Sequence, residues 1–314
     1  MIFLAKGVTQ LKKIWGKILV ATMLVFGVLA PTTGFAADNT PPKAIDEKLG
    51  VPIVVYGANL SEAEKESVKK SLKVNEDPEV EEITVSGNDL AKYIKDSNSS
   101  SRMYSSAKIT RKDAGKGLVI EIVTPSNITQ VTSEMYANAM LTAGIEDATV
   151  QVAAPKPVTG HSALVGIYKA YEVTTGETLD IDRTDVANEE LSVATKLADS
   201  AGVDDAKVAE LLTEIKKQIA EVKPETREDV EKIVQEQLDK LEVNLSEKDR
   251  QLLVDLMDKI SNLDIDFSKW SDQLNDISNT LQEKFGALME DEGFWTSVKN
   301  FFANLKDTIS TWFN

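Results

Sequence analysis

Gly160-His161-Ser162-Ala163-Leu164 places a serine beside the one histidine of a 314-residue chain, the pairing from which acyl-transfer chemistry is most often built. The spacing argues against that chemistry. A nucleophile elbow needs a second glycine two residues after the serine, and Leu164 stands there. A serine triad also takes its histidine from elsewhere in the chain, and His161 is next to the serine. No Ser-x-x-Lys context supports a serine–lysine pair. With one histidine and no cysteine, a zinc site would have to be completed by carboxylates. Asp180, Asp182 and Asp185, and again Asp264 and Asp266, are close enough to suggest calcium. Neither group follows a full loop pattern with its glycine and terminal glutamate, and solvated carboxylates or helix caps account for both. Acid–base chemistry by a carboxylate pair has many candidates in so acidic a chain, and no spacing singles one out. No metal and no cofactor is implied.

The better candidate is a binding site built from loops. In open α/β sheets, ligands favour the loops at the carboxyl ends of strands. Gly57-Ala58-Asn59 follows the first strand-like run. Pro157-Val158-Thr159-Gly160-His161-Ser162 follows the last one and opens a helix, whose free N–H groups can hold an anion. Arg102 and Ser105 precede another strand. The expected ligand-binding set is therefore Gly57, Asn59, Arg102, Ser105, Thr159, Gly160, His161 and Ser162. The competing reading is that the glycines serve tight turns, Asn59, Thr159 and Ser162 cap helices, and Arg102 pairs with a surface acid.

The elements that would position these residues follow from hydrophobic periodicity. Ile53 to Tyr56, Ile83 to Val85, Ala107 to Thr110, Leu118 to Val123 and Ala148 to Val152 read as strands. The third and fourth read as a hairpin, with Gly115 and Gly117 in the reversal. Ser61 with Glu64 forms a capping box for a helix through Val68 and Leu72. Ser133 to Ala143, ended by Gly144, and Ser162 to Val173 are further helices. Beyond Thr178 the strand signals stop. Val186 to Leu197, Val203 to Val222, Glu225 to Val243 and Glu247 to Leu263 have helical spacing, with Pro224 in a first turn and Ser246 with Asp249 as a cap. The fold class is mixed α/β and α+β: an N-terminal mixed sheet with flanking helices, followed by an all-α helical region. Its parts are an α/β domain at 51–177, a helical region at 178–263 and a C-terminal helical hairpin at 264–314.

Residues 1–36 read as a signal peptide: Lys6, Lys12, Lys13 and Lys17, an apolar run from Ile18 to Ala30, then small residues around a cut after Ala36 or Ala37. Residues 37–50 form a linker. The whole chain has 35 basic and 51 acidic residues, a net −16. Losing the four lysines leaves 31 basic residues and a net charge of −20, which disfavours nucleic acid as a partner. In the tail, Phe267, Trp270, Leu274, Ile277, Leu281, Phe285 and Leu288 form a seam for a partner helix. Phe294, Trp295, Phe301, Phe302, Trp312 and Phe313 then fall on one arc of a terminal helix edged by Lys299 and Lys306. That arc suits either an intramolecular hairpin or peripheral contact with a membrane or protein partner.

One stretch also resembles a known family. Asn127-Ile128-Thr129, Thr132 to Ala139, Thr142-Ala143-Gly144-Ile145, Val152-Ala153-Ala154-Pro155, Gly160, Ala163-Leu164, Gly166-Ile167 and Ala170-Tyr171-Glu172 together resemble the YpuA-like family of exported Gram-positive proteins. Gly57-Ala58-Asn59-Leu60 and Arg102 with Ser105-Ser106 fit the same pattern. The resemblance is close from Val51 to Gly176 and looser to Val222. It implies an exported Gram-positive protein and a domain of unknown function, and it assigns no chemistry. The expectation is an exported protein on the outer side of the cell envelope, a binding or structural module for an unknown envelope component or protein partner. The alternative is a carboxylate-dependent hydrolase of cell-wall polymers.

Overall fold

The computed structural model describes residues 50–201 and 203–285. The signal segment at 1–36, the linker up to residue 49, and Phe294, Trp295, Phe301, Phe302, Trp312 and Phe313 lie outside the described residues. The chain begins with β1 (Ile53–Gly57), α1 (Glu62–Ser71), β2 (Glu81–Val85), a 3-10 segment at Gly87–Lys92, β3 (Ser106–Arg111), β4 (Val119–Ile122), α2 (Ser133–Ala143), β5 (Ala148–Ala153) and α3 (His161–Thr175). Five helices follow: α4 (Ile181–Ala201), α5 (Asp205–Val222), α6 (Arg227–Lys240), α7 (Glu247–Ser261) and α8 (Trp270–Phe285).

The sheet order is β2-β1-β3-β5-β4. β1 pairs parallel to β2, and β4 parallel to β5, while β3 runs antiparallel to both β1 and β5. The expected β3–β4 hairpin is therefore wrong. Gly115 and Gly117 do take positive φ, +79° and +63°, but the loop opens wide enough to admit β5 between the two strands. Asp147, at the entrance to β5, holds that loop: its carbonyl accepts from Lys112 N at 2.8 Å and its Oδ1 from Gly117 N at 2.7 Å. The physical reason lies in burial. Ala148, Val150, Val152 and Ala153 of β5 are all fully buried, as suits an interior strand, whereas β4 alternates exposed and half-buried residues, as suits an edge.

One sheet face is covered by α1, where Val54 and Tyr56 meet Val68 and Leu72. The Ser61–Glu64 capping box starts that helix as expected. Lys108 of β3 closes its far end by donating to the Leu72 carbonyl at 2.8 Å. The other face is covered by α2 and α3, and the same hydrophobic core continues without a break through α4 to α8. The Trp270, Leu274, Ile277 and Leu281 seam is buried, with α8 packed on α5 and α2. Pro224 proves not to be in a first turn. Lys223 ends α5 at φ +52°, Pro224 follows in the link, and Thr226 caps α6 by accepting from Asp229 N.

Candidate functional site

The carboxyl ends of β1, β2, β4 and β5 share one edge of the sheet, and the start of β3 reaches the same edge. A cleft of about 940 Å³ opens there. Of the expected residues, Arg102, Thr159, Gly160, His161 and Ser162 line it. Gly57, Asn59 and Ser105 do not line it but stand behind it. A Cβ on Gly57 would sit 2.4 Å from the Met103 carbonyl oxygen, so only glycine lets that backbone pass. Asn59 Oδ1 accepts from Met103 N at 2.7 Å, and Asn59 N donates back to Met103 O at 3.0 Å. Asn59 thus clamps the strip that carries Arg102 and Tyr104. Ser105 N donates to Ser162 Oγ at 3.3 Å and ties the root of β3 to the first turn of α3.

Gly160 holds the α3 entrance at φ +106°, and a Cβ there would lie 2.8 Å from both Tyr136 Oη and Ile128 Cγ2. The buried Tyr136 hydroxyl donates to the Gly160 carbonyl at 2.6 Å, which fixes the turn. His161 Nε2 lies 3.3 Å from Thr195 Oγ1 of α4, and burial pushes the imidazole pKa below its usual value, so the ring is neutral near pH 7. Adjacent helix positions diverge, so His161 cannot reach the hydroxyl of Ser162 as a base. Lys156 stacks 3.9 Å from the Tyr104 ring centre and pairs with Glu64 at 2.8 Å. That ammonium, together with the Ser61 cap, holds the Glu64 carboxyl down to about 2.

The opposite wall escaped the sequence reading as part of this site, although Asp185 was noted among the clustered acids. Asp185, Asn188, Glu189 and Ser192 of α4 line the cleft. Their spacing, i, i+3, i+4 and i+7, is a polar helical stripe that could have been found had α4 been started at Ile181. Asp180 caps α4, accepting from Asp182 N and Arg183 N through Oδ1, and Asp182 pairs with Lys95. These acids therefore act as cap and surface partner. Among the described residues, no group of three or more histidine, aspartate or glutamate side chains is placed to hold a metal ion, and no helix is long and apolar enough to cross a membrane.

Residues 56–277, from the end of β1 into α8, match the family described as Protein of unknown function (DUF1002). "Uncharacterized protein YpuA" of Bacillus subtilis (strain 168) is 37% identical over 212 residues, covering 66% of this chain and 67% of that one. No solved structure matches. The matched span takes in the end of β1, strands β2 to β5, every residue of the cleft and most of the helical half, and on that basis the chain belongs to the DUF1002 family.

Proposed function

We propose that this protein is an exported envelope module that binds a ligand in the cleft at the carboxyl edge of its sheet. The observation that carries the reading is the cleft itself. It is in the size range of small-molecule sites, and a rigid turn at Gly160 and the Asn59 clamp shape its floor and rim. Export rests on the lysine-rich, apolar and small-residue order of residues 1–36. Phe294, Trp295, Phe301, Phe302, Trp312 and Phe313 supply the proposed membrane or partner contact, and deleting residues 294–314 should change the protein's fractionation. The cleft is tested by capture of components from a solubilised Gram-positive envelope, comparing the wild type with Ser192→Trp. Ser192 is an exposed residue of the cleft wall, so a tryptophan there fills the cleft without entering the core. A component retained equally by both proteins removes the reading.

Hydrolysis of a wall polymer by carboxylates is the second reading, favoured by Asp185 and Glu189 facing the same cleft. Both carboxylates already have partners: Asp185 Oδ1 accepts from Lys95 N at 2.9 Å, and Glu189 pairs with Lys259 at 2.7 Å. Fragments released from peptidoglycan or teichoic acid by the wild type, and not by Asp185→Asn, would put this reading first.

A further inference from the structure

We infer that the α3 end of the cleft is a built oxyanion subsite, so that the ligand presents a phosphate or carboxylate group to it. This inference rests on the cleft being a binding site and names the chemistry it selects. α3 begins at His161 with no side-chain cap from Gly160, and its first two residues, His161 and Ser162, line the cleft. A helix start of this kind presents N–H groups and a partial positive charge, which satisfies an anion but does not by itself identify one.

Three further observations point to a ligand. Ser105 is 1% exposed, and its Oγ has no hydrogen-bond partner. It sits on the same sheet face as Ala107 and Ile109, beneath α3, and its own N–H is bonded to Ser162 Oγ in the first turn. Continuing the β1–β3 register by two pairs and the β3–β5 register by one places Gly57 and Ala154 beside it, two of the smallest neighbours available. A buried hydroxyl left without a partner is costly, and an oxyanion drawn past the first turn of α3 into the space behind the cleft wall would supply the missing acceptor. Ser97, in the cleft lining, carries a second buried Oγ without a partner. Arg102 is exposed on the rim and forms no ion pair with any described residue, so the pairing expected as the competing reading is not made there. The two acids of the facing wall are already engaged, as described above. Arg102 is thus the cation of the cleft lining that has no carboxylate partner among the described residues, in a chain whose net charge is −16.

The test uses the isotope-labelled full chain at constant ionic strength, titrated separately with inorganic phosphate and with acetate against a chloride reference. Saturable shifts of the His161 and Ser162 amides are expected with at least one of the two anions, and the one that saturates names the group. Arg102→Ala should weaken that binding about tenfold, and Ser105→Ala by a smaller but measurable factor without lowering the melting temperature. A purely structural serine would lower the melting temperature and leave anion binding unchanged, which would overturn the assignment. Linear, non-saturating shifts with both anions would also overturn it. Envelope capture with Ser192→Trp separates the two readings. If the tryptophan abolishes capture while neither anion binds, the cleft remains a site for a neutral or cationic ligand and only the oxyanion assignment falls.

Discussion

Gly160 does two jobs that no other residue can share. Its φ of +106° is outside what a side chain tolerates, and the space a Cβ would need is already held by Tyr136 and Ile128. Gly160→Ala should therefore destabilise the fold by about 3 kcal/mol, read as a lowered melting temperature, and should blur the α3 entrance. Glu210 of α5 is a second residue whose environment has a measurable consequence. Burial, and then the neighbouring Glu214 charge, push its carboxyl from 4.5 up to about 7, against the opposing pull of Lys207, Lys240 and Lys217. The folded state thus holds a proton that the unfolded chain releases near 4.5. Glu210 favours folding fully below that value, and its contribution is lost as pH rises through about 7. Between pH 5 and 8 the expected loss is of the order of 3 kcal/mol, and Glu210→Gln should flatten the slope in denaturant melts across that range. At this scale the sequence was informative where a residue type has one main use. The Ser61–Glu64 box and the Ser246 cap follow from spacing alone. It was silent on Glu210, because burial of an acid on a helix surrounded by several others depends on packing that periodicity does not report.

At the scale of elements, the helical half is pinned by charges rather than by shape alone. Lys216 of α5 is 0% exposed and donates to Glu190 of α4 at 2.9 Å, and to the Asn138 carbonyl and Thr142 hydroxyl of α2 at 2.8 and 3.0 Å. It also lies 5.2 Å from the Trp270 ring centre of α8. Burial lowers the Lys216 pKa and the Glu190 carboxylate opposes that shift. Removing one partner strands the other: Lys216→Met alone should cost about 3–5 kcal/mol, and Lys216→Met with Glu190→Gln should recover most of it in a double-mutant cycle. An additive double mutant would show that the pair does not set the α2–α4–α5 arrangement. The helices themselves were legible from their apolar stripes, but this pair was not, since lysine and glutamate at such spacings usually face solvent. The strands were legible one by one and misread as a pair. A glycine-rich link signals a reversal, but which strand lies next to which is decided by burial, and β5 is far more buried than β4.

Over the whole molecule, one hydrophobic core runs from Ile53 in β1 to Leu281 in α8. Residues of that core lie on both sides of the boundary expected near residue 177. Denaturant unfolding of a variant with Trp15, Trp295 and Trp312 changed to Phe, followed by tryptophan fluorescence, which then reports on Trp270, and by far-ultraviolet circular dichroism, which reports on sheet and helices together, should give coincident single transitions. Two separated transitions would mean that the sheet half and the helical half stand alone. The same wholeness explains why the cleft was only half visible in the sequence: its loops belong to the sheet and its far wall to α4, and no local pattern joins them. The strand order has one more consequence, for the history of each molecule. When β4 leaves the chain it must take a place one strand away from β3 and leave a vacant lane between them. Until Ala148–Ala153 arrives, β3 and β4 both show unsatisfied backbone to that lane. A chain emerging amino end first, or cut short before residue 148, would carry two adhesive borders into a crowded space, and this passage is where misassembly into aggregates should concentrate.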